Sequence, residues 1–296
     1  MLDYDVDLRA EELCGPGHLA CQGCGGTIAM RHALKALGPR TMIAMPACCW
    51  SVIAGPFPHS NLGVPVYHCA FETAAATASG IRAALDAKGE EDVTVMAWAG
   101  DGGTFDIGLQ ALSAAAERNE NIIFVCYDNE AYMNTGIQRS SATPYAAWTT
   151  TTPEQHPKED RKKDIDRIIA EHRIPYVATT AVCYPKDLIA KFVKAKGIKG
   201  MRFIHILAPC PPGWRVASDM TIEIARMAVE ANVFPMFEVE DGVNYKLNYR
   251  PKTRVPVDAY LKKQGRFSHF TDAHRKAFQD EVDMKWARLL DRKSVV

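Results

Sequence analysis

The chain has 296 residues, enough for one large core or two small ones, with an ordinary globular composition of 47% hydrophobic and 24% charged residues. Lys plus Arg and Asp plus Glu both number 35, so the charge balance gives no sign of a basic nucleic-acid surface. No run approaches the roughly 20 apolar residues of a membrane span, and the charged opening MLDYDVDLRAEEL lacks a signal-peptide core, so a cytoplasmic location is expected.

Strands and helices alternate along the chain. A glycine-rich stretch at 21–26 leads into a helix expected over 28–37, then a strand over 41–45. An alanine-rich helix follows over 72–88, where Gly80 suggests close helix packing. A strand over 93–99, a helix over 107–118 and a strand over 122–127 come next. An amphipathic helix over 161–172, a strand over 176–180 and a helix over 185–196 continue the order. A strand over 203–207, a helix over 219–232 and a short strand over 237–239 complete it. This βαβα alternation predicts an α/β domain of residues 1–240, with a mainly parallel sheet covered by helices on both faces. Sites in such sheets lie outside the carboxyl ends of the strands.

Two segments break the pattern. Residues 134–160 are rich in Thr, Ser and Pro without a clear period, and a long ordered loop inside a domain is usually functional. Residues 241–296 run through polar and basic segments to a charged helix over 272–290. They read as a C-terminal arm that packs on the core or on another subunit. There is no internal repeat.

The most informative stretch spans 100–134. It opens with Gly100, Asp101, Gly102 and Gly103 at the end of one apolar strand. It closes with Asp128, Asn129, Glu130, Ala131, Tyr132, Met133 and Asn134 at the end of another. Asp101 and Asn129, 28 residues apart, thus put a carboxylate and an amide at two strand ends. Two hard oxygen ligands, with glycine letting backbone approach closely, suit Mg²⁺ bound to a diphosphate. Glycine–acid–glycine alone is common in turns; the second block gives it force.

Nine cysteines are many for a chain of this size. An odd number without an export signal argues against a disulfide framework. Cys126 and Cys69, within and beside apolar strands, read as plain core. Cys21 and Cys24 form a CxxC pair with glycines between and after. Such a loop can wrap an iron–sulfur cluster, a zinc ion or a redox disulfide, and all three readings stay open here. Cys49 and Cys210 follow predicted strand ends on the edge that carries Asp101 and Asn129, which makes them candidates for two further ligands. Cys48 could replace Cys49, and Cys14 is a reserve. His18 and His68 read as structural.

As an ordered set these motifs resemble the thiamine-diphosphate-binding β subunits of the 2-oxoacid:ferredoxin oxidoreductases, with pyruvate synthase the nearest member. The resemblance covers about residues 15–240. It rests on Gly17-His18-Leu19-Ala20-Cys21-Gln22-Gly23-Cys24-Gly25, on Cys49, and on Gly100-Asp101-Gly102-Gly103-Thr104-Phe105-Asp106-Ile107-Gly108. It continues through Tyr127-Asp128-Asn129-Glu130-Ala131-Tyr132-Met133-Asn134-Thr135-Gly136-Ile137-Gln138, Ala142-Thr143-Pro144 and Ala208-Pro209-Cys210-Pro211-Pro212-Gly213-Trp214.

The resemblance implies the thiamine-diphosphate-binding fold, one [4Fe–4S] cluster on Cys21, Cys24, Cys49 and Cys210, and Mg²⁺ on Asp101, the Asn129 side chain and the Ala131 carbonyl. It implies that Gly100, Gly102, Gly103 and Asp106 form or support the diphosphate loop, that Cys49 also lies against the cofactor, and that Asn134 stands near the thiazolium and substrate. It implies oxidative decarboxylation of a 2-oxoacid, pyruvate by default, with electrons passing to ferredoxin and the acyl group to coenzyme A. 2-Oxoisovalerate, 2-oxoglutarate, indolepyruvate and oxalate are the other family substrates. The thiamine-activating glutamate and the remaining clusters are expected on partner subunits of alpha, gamma and delta type. The Cys48–Cys49 doublet departs from the family's single ligand, and the alanine- and threonine-rich stretch 71–79 leaves the substrate open. A non-redox thiamine decarboxylase or synthase with a structural zinc is the main alternative. A cluster-carrying binding module and a purely structural subunit are the others.

Overall fold

The computed structural model describes residues 11–56 and 58–293. One eight-stranded sheet organises them, in the order β2-β1-β3-β4-β6-β5-β7-β8. The strands are β1 (Thr41–Pro46), β2 (Val66–Cys69), β3 (Thr94–Gly100), β4 (Ile123–Asp128), β5 (Tyr176–Ala181), β6 (Arg202–Leu207), β7 (Phe237–Glu240) and β8 (Asn244–Leu247). The first six pair in parallel, while β7 runs antiparallel to β5 and β8 antiparallel to β7. Every residue of β4, β5 and β6 is buried. That is why these segments read as continuous apolar runs rather than alternating ones: helices cover both faces.

On one face, α1 (Gly25–Leu37), α6 (Pro185–Gly197) and α8 (Thr221–Glu230) contribute Leu34, Phe192 and Ile224 to the core. On the other, α3 (Ala74–Ala87), α4 (Leu109–Glu117) and α5 (Ile165–Ala170) contribute Ala78, Leu112 and Ile169. Short helices α2 (Cys49–Ile53), α7 (Pro211–Trp214) and α9 (Val257–Lys262) occupy connections. The last helix, α10 (Asp272–Lys293), places Phe278 and Val282 in the first core and Leu289 against the second. The segment after Asp241 therefore adds β8 to the sheet edge and buries Tyr260, Leu261 and Phe267 in the main core.

Several expectations shift. The first helix begins at Gly25, not 28, because the Gly25 N–H donates to Pro209 at 3.1 Å and draws the CxxC turn into the helix. The helix expected at 107 starts at Leu109, because residues 102–106 form a wider π turn. Such turns recur at functional sites. The helix expected over 161–172 contracts to Ile165–Ala170. Lys162 turns inward to Asp128 and Glu130, and the Lys163 N–H donates to Ser141, so the preceding backbone is held open. The helix expected over 219–232 contracts to Thr221–Glu230, after a 3₁₀ turn at Ser218–Met220. Gly80 does not mark close packing: it faces solvent, and a Cβ there would meet open space. Cys126 is core, but Cys69 is only half-buried, since β2 is the sheet edge.

Candidate active site

The site assembles at the carboxyl ends of four neighbouring strands. Cys49 follows β1, Asp101 follows β3, Asn129 follows β4 and Cys210 follows β6, and these strands are adjacent in the order β1-β3-β4-β6. At about 4.8 Å per strand spacing, the loops from the outer two reach across the inner two without long excursions. The CxxC turn joins them from the start of α1, where Gly25 is pressed so closely on the Cys210 loop that a Cβ would lie 2.7 Å from the Ala208 carbonyl carbon.

Asp101 and Asn129 are buried beside the Ala131 carbonyl. The Asn129 amide atom that faces them lies 2.9 Å from Asp101 Oδ1 and 3.0 Å from the Ala131 oxygen. As an NH₂ it donates to both. As an oxygen it completes a triangle of three acceptors, an arrangement that needs a cation. Octahedral Mg²⁺, with ligands at about 2.1 Å, sets neighbouring oxygens about 3.0 Å apart, so the donor set fits the ion implied by the sequence. Burial and the nearby Asp128 carboxylate push the Asp101 carboxyl well above the usual carboxylate range; a cation among these oxygens relieves that penalty.

The glycines of the loop have a steric reason. A Cβ on Gly102 would stand 2.1 Å from the Tyr132 ring. Tyr132 cannot easily yield, because its hydroxyl donates to Asp106 at 2.7 Å. Asp106 also accepts from the Ser141 N–H at 3.0 Å. It therefore braces the loop from behind and does not line the cavity that Gly100, Asp101, Gly102, Gly103, Ala131 and Asn134 surround. That cavity measures about 130 Å³.

Cys21, Cys24, Cys49 and Cys210 line a second cavity, of about 180 Å³. Cys48 and Cys14 do not: Cys48 lines the Asp101 cavity, and Cys14 bridges to Leu62 on another part of the chain. Among the described residues, no three His, Cys, Asp or Glu side chains converge closely enough to hold a single metal ion. Four thiols around one hollow are the ligand set that a [4Fe–4S] cluster takes. Burial pushes the Cys210 thiol up to about 12 and raises Cys24 and Cys49 as well. Metal coordination reverses that preference by holding the thiolate.

The two cavities share a wall. Cys49, Tyr127, Asn129, Met133 and Asn134 line both. Tyr127 is fixed by stacking on Trp98 at 5.7 Å, and Trp98 meets Trp50 edge-on at 6.4 Å. Behind the Asn129–Ala131 turn lies a buried charge network. Burial opposes ionisation of Asp128, but Lys162 and His205 outweigh it and hold its carboxyl at about 2. His205 is 2.9 Å from both Asp128 and Asp166.

A third hollow, of about 100 Å³, opens on the other side of this network between Lys162, Asp166, Arg288 and Arg292. It has neither the glycine turn nor the carboxylate–amide pair that the resemblance implies for the diphosphate.

The sequence did not single out Trp214, Glu130 or Arg266. Trp214 and Glu130 lie within the motifs, but their contacts with Asn129 and Arg266 are visible only in the fold. Arg266 has no motif at all.

Residues 49–206 match the family described as thiamine pyrophosphate enzyme, C-terminal TPP binding domain. The chain is 52% identical to the ketoisovalerate oxidoreductase subunit VorB of Pyrococcus abyssi, over 96% of this chain and 94% of that one. It is 50% identical to the pyruvate synthase subunit PorB of Methanothermobacter thermautotrophicus, over 94% and 97%. A solved 2-oxoglutarate:ferredoxin oxidoreductase from Magnetococcus marinus superposes with a TM-score of 0.59 at 22% identity, over 73% of this chain and 79% of that one, and shares the fold. The chain belongs to the thiamine-diphosphate-dependent β subunits of the 2-oxoacid:ferredoxin oxidoreductases.

Proposed function

We propose that this β subunit holds thiamine diphosphate through Mg²⁺ on Asp101, Asn129 and the Ala131 carbonyl, and a [4Fe–4S] cluster on Cys21, Cys24, Cys49 and Cys210. The reaction converts a 2-oxoacid, coenzyme A and oxidised ferredoxin into an acyl-coenzyme A, carbon dioxide and reduced ferredoxin, in either direction. Alpha-, gamma- and delta-type partner subunits complete the enzyme, and the segment after Asp241 packs on them in this reading. When bound, thiamine diphosphate supplies the nucleophile and the electron sink for decarboxylation. Phe71, Tyr127 and Met133 wall the cavity with apolar surface that limits water. In this reading Asn134, exposed at the mouth shared by both cavities, orients the substrate.

The observation that carries this reading is the shared wall of Cys49, Tyr127, Asn129, Met133 and Asn134. A donor in one cavity and an acceptor in the other would be separated by single side chains. Among the described residues, those that line the Asp101 cavity include no Lys, Arg or His. We take pyruvate as the default and 2-oxoisovalerate as its branched alternative, since relatives bearing both names match almost equally.

The test is anaerobic purification of the assembled complex, followed by a turnover panel of 2-oxoacids with coenzyme A and a viologen acceptor. Rapid turnover of pyruvate or 2-oxoisovalerate supports the reading. Zinc in place of iron, with thiamine bound, would leave a non-redox thiamine enzyme.

A further inference from the structure

The turn between Asn129 and Ala131 is strained. Glu130 sits between them at φ +67°, a left-handed conformation that costs energy in a residue with a Cβ. Its neighbours hold it there. Its N–H donates to Asp128 Oδ1 at 2.8 Å, and its carbonyl accepts from Thr143 Oγ1 at 2.7 Å. Lys162 Nζ donates to Oε1 at 2.9 Å. The remaining contact comes from far along the chain. Arg266 Nη2 lies 2.7 Å from Glu130 Oε2, an ion pair off the line of an N–H bond. Arg266 is 2% exposed and Glu130 3%.

Arg266 has a second neighbour. Its guanidinium carbon is 3.8 Å from the centre of the Trp214 ring, within stacking reach. Trp214 binds both cofactor loops: its N–H donates to the Cys210 carbonyl at 2.8 Å, and its indole Nε1–H donates to the Asn129 carbonyl at 2.8 Å. Arg266 itself is fixed from behind. Its Nε donates to Gln264 Oε1 at 2.9 Å, and its carbonyl accepts from the Trp148 N–H at 2.9 Å. A buried ion pair adds little net stability over a well-packed apolar pair, so stability alone does not explain this one. What it fixes is geometry.

We propose that Arg266 is a positioning residue for both cofactor sites. It holds Glu130 in the strained turn that aims the Asn129 side chain and the Ala131 carbonyl at one point. It also braces Trp214, which sets the distance from that turn to the Cys210 loop. The segment after Asp241 thereby acts on the active site as well as packing against the core. This rests on the assignment of Asn129 and Ala131 to the metal and of Cys210 to the cluster.

The test uses the assembled, anaerobically purified complex with R266Q, R266K, E130Q and N129A. Three quantities are read: thiamine diphosphate affinity in the presence of Mg²⁺, the EPR signal of the cluster that C210S removes, and the thermal midpoint. R266Q should weaken thiamine binding by about tenfold or more, as loss of a ligand-orienting contact does, and should alter the EPR signal. R266K keeps a charge for Glu130 but cannot stack as a plane on Trp214. It should therefore restore most of the thiamine affinity while leaving the EPR signal altered. E130Q should weaken thiamine binding as R266Q does.

A lowered thermal midpoint in R266Q, with thiamine affinity and EPR signal both unchanged, overturns the proposal and leaves Arg266 a structural residue. If R266Q does not assemble, an unchanged affinity in E130Q together with an unchanged signal in R266K overturns it equally. N129A separates the two levels. Undiminished thiamine binding in N129A would reject the metal assignment itself, whatever Arg266 does.

Discussion

The indole Nε1–H of Trp214 donates to the main-chain carbonyl of Asn129 at 2.8 Å. Trp214 lies four residues after Cys210, so this bond ties the cysteine loop after β6 to the Asn129 turn after β4. The two sites are not independent pockets that happen to be near each other. A buried hydrogen bond joins the two loops, and the side chains of Cys49, Tyr127 and Met133 line both cavities.

Replacing Asn129 with Ala removes one of the three groups proposed to hold Mg²⁺. Thiamine diphosphate and Mg²⁺ affinity should fall by about tenfold or more, measured by cofactor content after gel filtration. Equal content in variant and parent would strike Asn129 from the ligand set.

Replacing Cys210 with Ser should lower the iron content by about four atoms per β subunit and leave thiamine binding largely intact. C48S should lose no iron, because Cys48 faces the other cavity. Metal analysis of the two variants decides this, and iron loss from C48S alone would reassign the ligand.

Gly102→Ala places a methyl group 2.1 Å from a Tyr132 ring held by Asp106. The ring must move, at a cost of about 1–3 kcal/mol for overpacking, and the displaced ring enters the cavity it lines. Thiamine affinity should drop several-fold with a modest loss in thermal midpoint. A variant that binds thiamine as well as the parent would show that Tyr132 is free to swing.

The pair Asp128 and Asp166 gives stability a pH dependence. Burial lowers the His205 pKa, but the two carboxylates outweigh it and raise it from 6.5 to about 9. A folded-state value above the unfolded one stabilises fully below about pH 6.5 and is lost as pH rises through about 9. Relative to H205N, the parent should lose up to about 3 kcal/mol across that window, read from denaturant titrations at several pH values. Parallel pH profiles for parent and variant would remove His205 from the account.

How far the sequence could be read depended on whether a signal was local. The buried strands β3, β4 and β6 announced themselves as apolar runs, and each ended where a functional residue was expected. Asp101, Asn129 and the CxxC pair carried their chemistry in adjacent residues. The assembly of four cysteines around one hollow was legible only through strand order, because Cys24 and Cys210 are 186 positions apart. Edge strands were harder: β8 is short and polar, and its Tyr245 is buried only because α10 and β7 cover it. The helix expected at 161 failed because Lys162, which reads as a solvated charge, reaches inward to Asp128 and Glu130. Arg266 was invisible for the same reason. Its partner lies 136 positions earlier, and nothing near it in sequence distinguishes it from a surface arginine.

In the proposed reaction, substrate electrons cross from the Asp101 cavity to the four cysteines. The most direct measurement is EPR of the assembled complex, frozen after anaerobic mixing with pyruvate or 2-oxoisovalerate. A reduced-cluster signal should appear with substrate in the parent, and neither substrate nor dithionite should produce that signal in C210S. Decarboxylation of substrate with no change in any iron signal, or a complex that carries zinc at these cysteines, would contradict it.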